Sequence, residues 1–274
     1  MSKTIANGLT ACVRFGSAWM KPYRRAMTQS LISANLSQSV TVGVPNGNIR
    51  FVTPSARSLH SPWELFTEEP ETIRWLDGLP AGDVLWDIGA NIGVYTLYAA
   101  KARGLQVVAF EPSAASYAVL TRNIEVNDLS GRIDAYCIAF DDCRRLDHLR
   151  MANTEAGHSM HAFGQDHTIQ GAVATIFRQA VMGFAIDDFC QLFAPPMPRH
   201  IKLDVDSIEL KILQGAAKTL AEHVESVLVE IDGDDQAATG RDIGGFLLSL
   251  GFREDEAFTA QETRRNVLFR RQAA

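Results

Sequence analysis

The stretch that decides the fold is Val84–Gly93, VLWDIGANIG, which is followed after a short interval by Val107–Pro112, VVAFEP. The first apolar run ends in Asp87, a loop that begins at Gly89 opens a helical pattern, and the second apolar run ends in Glu111. This order predicts a strand, a turn, a helix and a second strand that together bind a nucleoside at the edge of a doubly wound sheet.

The glycine spacing of this turn distinguishes between two classes of nucleoside ligand. A dinucleotide fingerprint requires glycines at the positions that Asn91 and Val94 occupy here, because those glycines let the backbone close on a pyrophosphate. Asp87 at the end of the first strand favours a ligand with positive charge. S-adenosylmethionine carries an ammonium and a sulfonium group and no phosphate, so we expect it as the cofactor, with an NAD-linked oxidoreductase as the alternative.

Charge and cysteine content exclude several other classes of protein. The net charge is −6, yet residues 1–63 contain seven Lys or Arg and no acid, and the remainder carries 19 basic against 32 acidic residues. An acidic body argues against nucleic-acid binding, which requires a basic face. Four cysteines without C-x-x-C spacing predict reduced thiols and a cytoplasmic location. We expect no membrane-spanning segment, because no run approaches the ~20 apolar residues of one, and no signal peptide.

Residues 1–60 are predicted to be an extension of the main domain. Apolar residues at spacings of three to four within 3–32 predict one or two amphipathic helices, which favour a docking or dimerising role, with a membrane-surface role as the alternative. Alternating apolar residues on both sides of Asn46 and Gly47 predict a β-hairpin. Residues 61–274 are predicted to form the catalytic domain, and 141–182 to be an inserted loop over the end of its sheet.

From Asp83 onward, short apolar runs alternate with helical stretches. The predicted strands are 83–87, 106–110, 133–139, 200–204, 226–231 and 265–270. The predicted helices are 92–103, 114–127, 186–193, 208–222 and 241–250. This alternation predicts an α/β fold, in which a mainly parallel sheet is covered by helices on both faces.

Five of the apolar runs end in an acidic residue: Asp87, Glu111, Asp141, Asp204 and Glu230. Because the carboxyl ends of parallel strands meet at one edge, we expect these acids to share a ligand site. Glu111 stands where a carboxylate accepts from two ribose hydroxyls, and Asp141 could accept from an adenine amino group.

The turn itself supplies the other predicted cofactor contacts. Gly89 and Gly93 allow close approach of the backbone, and Asn91 is expected to cap the helix that follows. The complete cofactor-binding set that we predict is Asp87, Gly89, Ala90, Asn91, Gly93, Glu111, Pro112 and Asp141.

The segments DIGANIG, AFEP and IKLDVDSIELKILQGA, followed by VLVEID, together resemble the FkbM family of S-adenosylmethionine-dependent methyltransferases. The resemblance covers about residues 83–252, with GFAIDDF also in the corresponding place. It implies a Rossmann-like class I methyltransferase fold, with seven strands and a final antiparallel strand, and O-methylation, often of sugar hydroxyls. One segment departs from the family pattern D-V-E-G-x-E, because Asp206 and Ser207 stand where the glutamate and glycine are usual.

The acceptor side of the site needs a group that takes a proton, because a sugar hydroxyl is a poor nucleophile otherwise. Asp204 is the first candidate for positioning the acceptor or accepting its proton, followed by Asp206 and Glu209. His158 and His161 are alternatives from the inserted segment, although a solvated loop is the simplest interpretation of both histidines.

Three expectations concern ligands and partners. The spacing of His158, His161 and His167 fixes no zinc geometry, so no metal is predicted. The expected partner is a small-molecule or glycan hydroxyl acceptor, and the apolar N-terminal stripe suggests a homo-oligomer. The altered loop at Asp206 and the basic N-terminus leave a non-catalytic binding module with the methyltransferase fold as a further alternative.

Overall fold

A computed structural model describes residues 2–36, 38–168, 171–206, 208–231, 236–259 and 266–272. The chain divides into two compact units, Met1–Ser39 and Val40–Ala274. The first unit holds helices α1 (Ser2–Gly16) and α2 (Pro22–Asn35), so the two-helix form of the N-terminal prediction is confirmed. Among the described residues, no helix combines the length and the apolarity that crossing a membrane requires.

The predicted hairpin is present as β1 (Ser39–Val44) and β2 (Gly47–Val52), but it belongs to the second unit. Asn46 and Gly47 adopt φ values of 67° and 135°, which a tight hairpin turn requires. Phe51 is fully buried in the main core, and the Val52 N–H donates to Asn123 Oδ1 (2.7 Å). The unit boundary therefore lies near residue 39 and not at residue 60.

The second unit is built on a seven-stranded sheet with the order β14-β15-β13-β12-β3-β4-β5. Its strands, in chain order, are β3 (Val84–Ile88), β4 (Gln106–Phe110), β5 (Ile133–Tyr136), β12 (His200–Leu203), β13 (Ser226–Glu230), β14 (Phe252–Glu254) and β15 (Asn266–Arg271). All neighbours from β13 to β5 pair in parallel, and β15 pairs antiparallel with both β13 and β14. The predicted Rossmann-like sheet with a final antiparallel strand is thus confirmed.

Nine helices of the second unit lie among its described residues. They are α3 (Ala56–Trp63), α4 (Pro70–Asp77), α5 (Val94–Arg103), α6 (Ala114–Val126), α7 (Ile186–Phe193), α8 (Glu209–Gln214), α9 (Ala217–His223), α10 (Gln236–Ser249) and α11 (Glu256–Thr259). The central strands are buried on both faces, and an apolar cluster lies on each side of the sheet. Trp86, Phe110, Phe140 and Phe189 form an aromatic group in one of these clusters.

The single helix predicted over 208–222 is wrong, because the chain breaks it into α8 and α9. The break lies where Gly215 packs against the backbone of Asp141: a Cβ on Gly215 would lie 2.5 Å from the Asp141 carbonyl oxygen. The Gly215 carbonyl accepts from the Asp187 N–H (2.9 Å), so it is directed to α7 and not along a helix.

The segment predicted as an inserted loop over 141–182 is also different, because it contains a second sheet. Its strands are β6 (Ala139–Phe140), β7 (Arg145–Met151), β8 (Ala162–Phe163) and β11 (Phe177–Phe184), in the order β6-β11-β7-β8, with a small pair β9 (His167–Thr168) and β10 (Gly171–Ala172). The long pairing of β7 with β11 buries Leu149, Met151 and Val181 in a small core of their own. Because β7 and β11 are held together by pairing between distant parts of the chain, this sheet was not predicted from the local sequence pattern.

Candidate active site

A cavity of about 280 Å³ opens at the carboxyl ends of β3, β4 and β12. This is the edge at which open α/β sheets bind their ligands. The predicted site residues that line the cavity are Asp87, Gly89, Ala90, Asn91, Glu111, Pro112, His158, Asp204 and Asp206. Glu230, whose strand also ends at this edge, lines it as well. The structure therefore brings most of the predicted set into one place.

The turn after β3 is held in place by Glu111. The Asn91 N–H donates to Glu111 Oε2 (2.8 Å), and the Ser113 N–H donates to Glu111 Oε1 (2.7 Å). Gly89, Asn91 and Gly93 all have positive φ, at 87°, 52° and 86°. A Cβ on Gly89 would lie 1.8 Å from the carbonyl oxygen of Asp204, so glycine is required there. The buried Glu111 side chain thus fixes the shape of the turn.

Glu111 is buried at the base of the cavity, and burial raises its pKa to about 7. The hydrogen bonds from the Ser113 and Asn91 N–H groups oppose this rise, whereas the charges of Asp206 and Asp87 add to it. Each carboxylate oxygen uses one lone pair on the backbone, so each keeps a second one for a ligand hydroxyl.

The expected cap by Asn91 is wrong, because α5 begins after Gly93 and no side chain caps it. The Asn91 Nδ2 group instead donates to the Gly157 carbonyl of the inserted segment (3.4 Å). Asn91 Oδ1 is buried without a hydrogen-bond partner among the described residues. A ligand with an N–H or O–H donor fits that oxygen. Gly93 shapes the turn but is not part of the cavity wall.

Lys202 is the centre of a buried group of charges beside the turn. It pairs in register with Asp87 across β12 and β3, and its Nζ lies 2.7 Å from Asp204 Oδ2. Burial alone would lower the pKa of Lys202, but Asp204, Glu69 and Asp87 outweigh burial and hold that pKa well above its ordinary value. Burial raises the pKa of Asp87, opposed by Lys202 and by the Thr96 hydroxyl that donates to it.

Glu69 and Tyr95 complete this group, and the sequence analysis missed both. Glu69 Oε2 lies 3.9 Å from Lys202 Nζ, and the ring of Tyr95 lies 5.1 Å from the same nitrogen. Burial raises the pKa of Glu69, and Lys202 opposes that rise. The available signal was Lys202 itself, because a lysine in an otherwise apolar strand requires buried partners. Nothing in the sequence indicated that residues before the first strand of the sheet would supply one.

Asp206 and Glu209 hold the loop that follows β12. Asp206 has a φ of 64°, and its Oδ2 accepts from the Met160 N–H (2.6 Å), which joins this loop to the inserted segment. Glu209 Oε1 accepts from the Val205 N–H (3.4 Å), and Glu209 is not part of the cavity wall. Ser207, the other departure from the family pattern, lies outside the described residues.

The inserted segment places two histidines in the cavity wall. The Nδ1–H of His158 donates to the Ser159 carbonyl (2.5 Å), because a carbonyl can only accept, so Nε2 is the ring nitrogen left to contact a ligand. The ring of His161 stacks on that of His158 at 5.8 Å. Burial, and secondly His158, lowers the pKa of His161 to about 4. His161 is thus a neutral side chain, and both rings line the cavity, so the solvated-loop interpretation is wrong.

Asp141 is buried, but it does not line the cavity. Its carboxylate forms an ion pair with Arg145, and its N–H donates to the Phe184 carbonyl (2.9 Å). Ile138, Ala139 and Phe140, which precede it, form that part of the wall instead. We therefore leave Asp141 out of the cofactor site proposed below.

One group of three residues with metal-ligand chemistry occurs among the described residues, away from the cavity. Asp83, His200 and Glu225 lie at the amino ends of β3, β12 and β13. Arg199 forms ion pairs with both Asp83 and Glu225, and His200 Nε2 lies 3.2 Å from Asp83 Oδ2. The guanidinium group of Arg199 thus already supplies a positive charge to Asp83 and Glu225. His167, the third histidine of the sequence pattern, has no described side chain.

Comparison with known proteins identifies relatives of this fold and site. The profile of the methyltransferase FkbM domain matches residues 87–254. The 31-O-demethyl-FK506 methyltransferase FkbM of Streptomyces tacrolimicus is 31% identical over 100 residues, which are 36% of this chain and 38% of that protein. The hexuronic acid methyltransferase AglP of Haloferax volcanii is 26% identical over 185 residues, which are 66% of this chain and 70% of that protein. The chain thus spans well under two thirds of the first of these relatives.

One solved structure also aligns with part of this chain. The methyltransferase FkbM from Methylobacillus flagellatus aligns with 70% of this chain and 44% of its own length, at 16% identity and a TM-score of 0.47. The profile match begins at Asp87 and ends in β14, so it contains the glycine turn, Glu111 and the pair of Lys202 with Asp204. Because the match covers more than half of the chain, this protein belongs to the methyltransferase FkbM domain family.

Proposed function

We propose that this protein transfers a methyl group from S-adenosylmethionine to a hydroxyl oxygen of a sugar or glycan. The observation that carries the proposal is one cavity that holds both the turn organised by Glu111 and the pair of acceptor-side groups Asp204 and His158. Membership of the family supports methyl transfer. The residues of the cavity support S-adenosylmethionine as the methyl donor and a hydroxyl oxygen as the methyl acceptor.

The residues of the cavity fit the proposed donor. Asn91 Oδ1 is a buried hydrogen-bond acceptor, which suits an N–H or O–H group of the cofactor. The two carboxylate oxygens of Glu111 each keep a lone pair for a ribose hydroxyl. Ile138 and Phe140 offer apolar surface for a purine ring. Asp87 and Asp204 favour a ligand with positive charge, which the donor carries on its ammonium and sulfonium groups. When bound, S-adenosylmethionine supplies an electrophilic methyl group.

The acceptor side of the cavity binds and orients a hydroxyl. Asp204 has a quarter of its side chain exposed to the cavity, and the buried Lys202 holds its carboxylate in one position. We propose that Asp204 accepts the hydrogen bond of the acceptor hydroxyl and takes the proton of that hydroxyl. His158 Nε2 is the second group in the wall that can accept a proton.

The relatives suggest where to look for the acceptor. One is described as a hexuronic acid methyltransferase and another as acting on 31-O-demethyl-FK506, so both descriptions name oxygen-rich compounds. We propose a sugar or glycan hydroxyl on this basis. The panel for activity tests is therefore a set of neutral hexosides and hexuronosides, with methyl transfer to oxygen located by mass spectrometry.

The first test of the proposal is cofactor binding by calorimetry. We expect S-adenosylhomocysteine to bind the full chain and NAD to show no binding, with Glu111→Ala abolishing the first. Binding of NAD in preference to S-adenosylhomocysteine would overturn the proposed donor. Donor binding without methyl release on any acceptor of the panel would contradict the proposed transfer to sugars.

The second test is the variant Asp204→Asn. Because it removes the proton acceptor and keeps the shape, we expect kcat to fall by on the order of 10²–10⁴-fold, while the affinity for S-adenosylhomocysteine stays within about threefold. The matched control is Asp142→Asn, an exposed aspartate outside the cavity wall, which should keep full turnover. If His158→Gln loses turnover and Asp204→Asn does not, the role given to Asp204 is wrong.

A further inference from the structure

The unit formed by residues 2–36 exposes large apolar side chains although it consists of two regular helices. Phe15 is 84% exposed, Trp19 81% and Tyr23 75%, and Leu9 and Leu31 are each more than half exposed. Neither helix has a buried residue. Exposed apolar surface on this scale marks a site of interaction, because soluble proteins rarely present contiguous patches of it.

The exposed side chains follow the helical repeat. Ile5 and Leu9 are four residues apart on α1, and Tyr23, Met27 and Leu31 are four residues apart on α2. Residues at this spacing share one face of a helix. Each helix of this unit therefore presents an apolar stripe, and we use the name apolar face for the exposed side chains of both stripes taken together with those of Phe15 and Trp19.

The turn between the helices is ordered by polar contacts. The Gln29 side chain donates to Ser17 Oγ (2.8 Å), which joins α2 to the end of α1. The Trp19 indole N–H donates to the Gly16 carbonyl (2.7 Å), so its polar group is satisfied while the ring stays exposed. Aromatic rings with this combination of an apolar body and a polar group are enriched at membrane–water interfaces.

The charge of the same unit is entirely positive. It contains Lys3, Arg14, Lys21, Arg24 and Arg25, and the first acidic residue of the chain is Glu64. A surface with this charge is complementary to anionic lipid headgroups, each basic residue near such a surface contributing about 1 kcal/mol. A second copy of the unit would bring the same five cations, so self-association through this face meets charge repulsion.

We infer that residues 2–36 bind the surface of a bilayer that contains anionic lipids, with the apolar face at the boundary between headgroups and acyl chains. The combination of an apolar stripe with flanking Lys and Arg is the physical requirement for such binding. The inference goes beyond methyl transfer and uses no residue of the cavity, so it stands or falls independently of the proposed function.

The experiment is co-sedimentation of the full chain with vesicles of phosphatidylcholine, with and without phosphatidylglycerol. We expect binding to the anionic vesicles only, and we expect it to weaken as the salt concentration rises. Arg24→Ala combined with Arg25→Ala should weaken binding by about 30-fold, since each charge contributes about fivefold. Arg144→Ala combined with Arg253→Ala changes the net charge equally at exposed positions of the other unit and should leave binding unchanged.

A second variant tests the apolar contribution. Leu9→Ser combined with Tyr23→Ser should weaken binding by on the order of tenfold or more, because both side chains are exposed in the free protein and buried on the bilayer. Circular dichroism checks that each variant keeps its helices. Equal sedimentation with both kinds of vesicle, or none with either, would overturn the inference. A dimer in analytical ultracentrifugation that these serine variants dissociate would assign the face to a second copy and also overturn it.

Discussion

At the scale of single residues, Glu111 combines two tasks that oppose each other. Its carboxylate must accept two backbone N–H groups to shape the turn, yet it is buried, which favours the protonated form. Its pKa of about 7 in the folded protein lies above the ordinary value of 4.5. The folded state therefore binds this proton more tightly than the unfolded state between these two pH values.

The first prediction from this residue concerns stability against pH in the absence of cofactor. Below the ordinary pKa of 4.5, Glu111 is protonated in both the folded and the unfolded state, so it does not lower the free energy of unfolding. As the pH rises from 4.5 to about 7, the unfolded state releases this proton while the folded state retains it, so the free energy of unfolding falls by about 3 kcal/mol relative to low pH and then levels off. Glu111→Gln removes this dependence. Urea unfolding from about pH 4.5 to about pH 8 measures this effect: the difference in unfolding free energy between Glu111→Gln and the wild type should grow as the pH rises.

The control for this measurement is Glu155→Gln, at an exposed position. Its unfolding free energy should follow that of the wild type at every pH. Parallel curves for Glu111→Gln and the wild type would show that the carboxyl group of Glu111 titrates equally in the folded and unfolded states.

At the scale of elements, the inserted segment is attached to the Rossmann-like sheet by a few specific bonds. Asp206 Oδ2 accepts from the Met160 N–H, Asn91 donates to the Gly157 carbonyl, and the Gly157 N–H donates to Ser116 Oγ (3.1 Å). These contacts bring His158 to the cavity. The length of the Asp206 side chain thus fits the distance to the Met160 N–H of the inserted segment.

The prediction at this scale is that Asp206→Ala loosens the segment around Met160. A hydrogen bond to a charged group contributes about 1.5–3 kcal/mol, so its loss should speed amide exchange there by on the order of tenfold to a hundredfold. Hydrogen exchange read by mass spectrometry on peptides covering 157–163 measures the effect. Asp206→Asn keeps an acceptor oxygen and should exchange like the wild type. Unchanged protection in Asp206→Ala would mean that other contacts hold the segment.

At the scale of the whole molecule, the β-hairpin before the seven-stranded sheet is part of the second unit. Ile49 and Phe51 are fully buried in the core that also contains Leu85 and Leu97. Asn127 binds the hairpin as well, because its Oδ1 accepts from the Arg50 N–H (2.8 Å). The hairpin thus closes one face of the domain.

The corresponding prediction is that Phe51→Ala lowers the free energy of unfolding of the second unit by about 3–5 kcal/mol, the range for removing a buried aromatic side chain. Thermal or urea unfolding followed by near-ultraviolet circular dichroism measures this loss. Phe177→Ala removes a half-exposed ring of the inserted sheet and should cost less than about 1 kcal/mol. Equal losses in the two variants would show that the hairpin is peripheral to the core.

Much of the fold was predictable, because the spacing of apolar residues and the residue types in turns are local signals in the sequence. The parallel strands read as unbroken apolar runs, and β4 and α7 match their predicted bounds to the residue. Two of the failed predictions, the single helix over 208–222 and the loop over 141–182, have a common cause. The break at Gly215 depends on the backbone of Asp141, and the inserted sheet depends on long-range pairing of β7 with β11, so neither leaves a local pattern.

The same division holds for the candidate site. The sequence by itself determined the family, the glycine turn and the acids at the strand ends, because a parallel sheet brings the ends of its strands to one edge. Only the tertiary structure decided which of these acids face the cavity: Asp141 pairs with Arg145, whereas Glu111 and Asp204 line the cavity. It also brought Glu69 to Lys202 from far along the chain, because a buried cation requires partners wherever the fold can supply them.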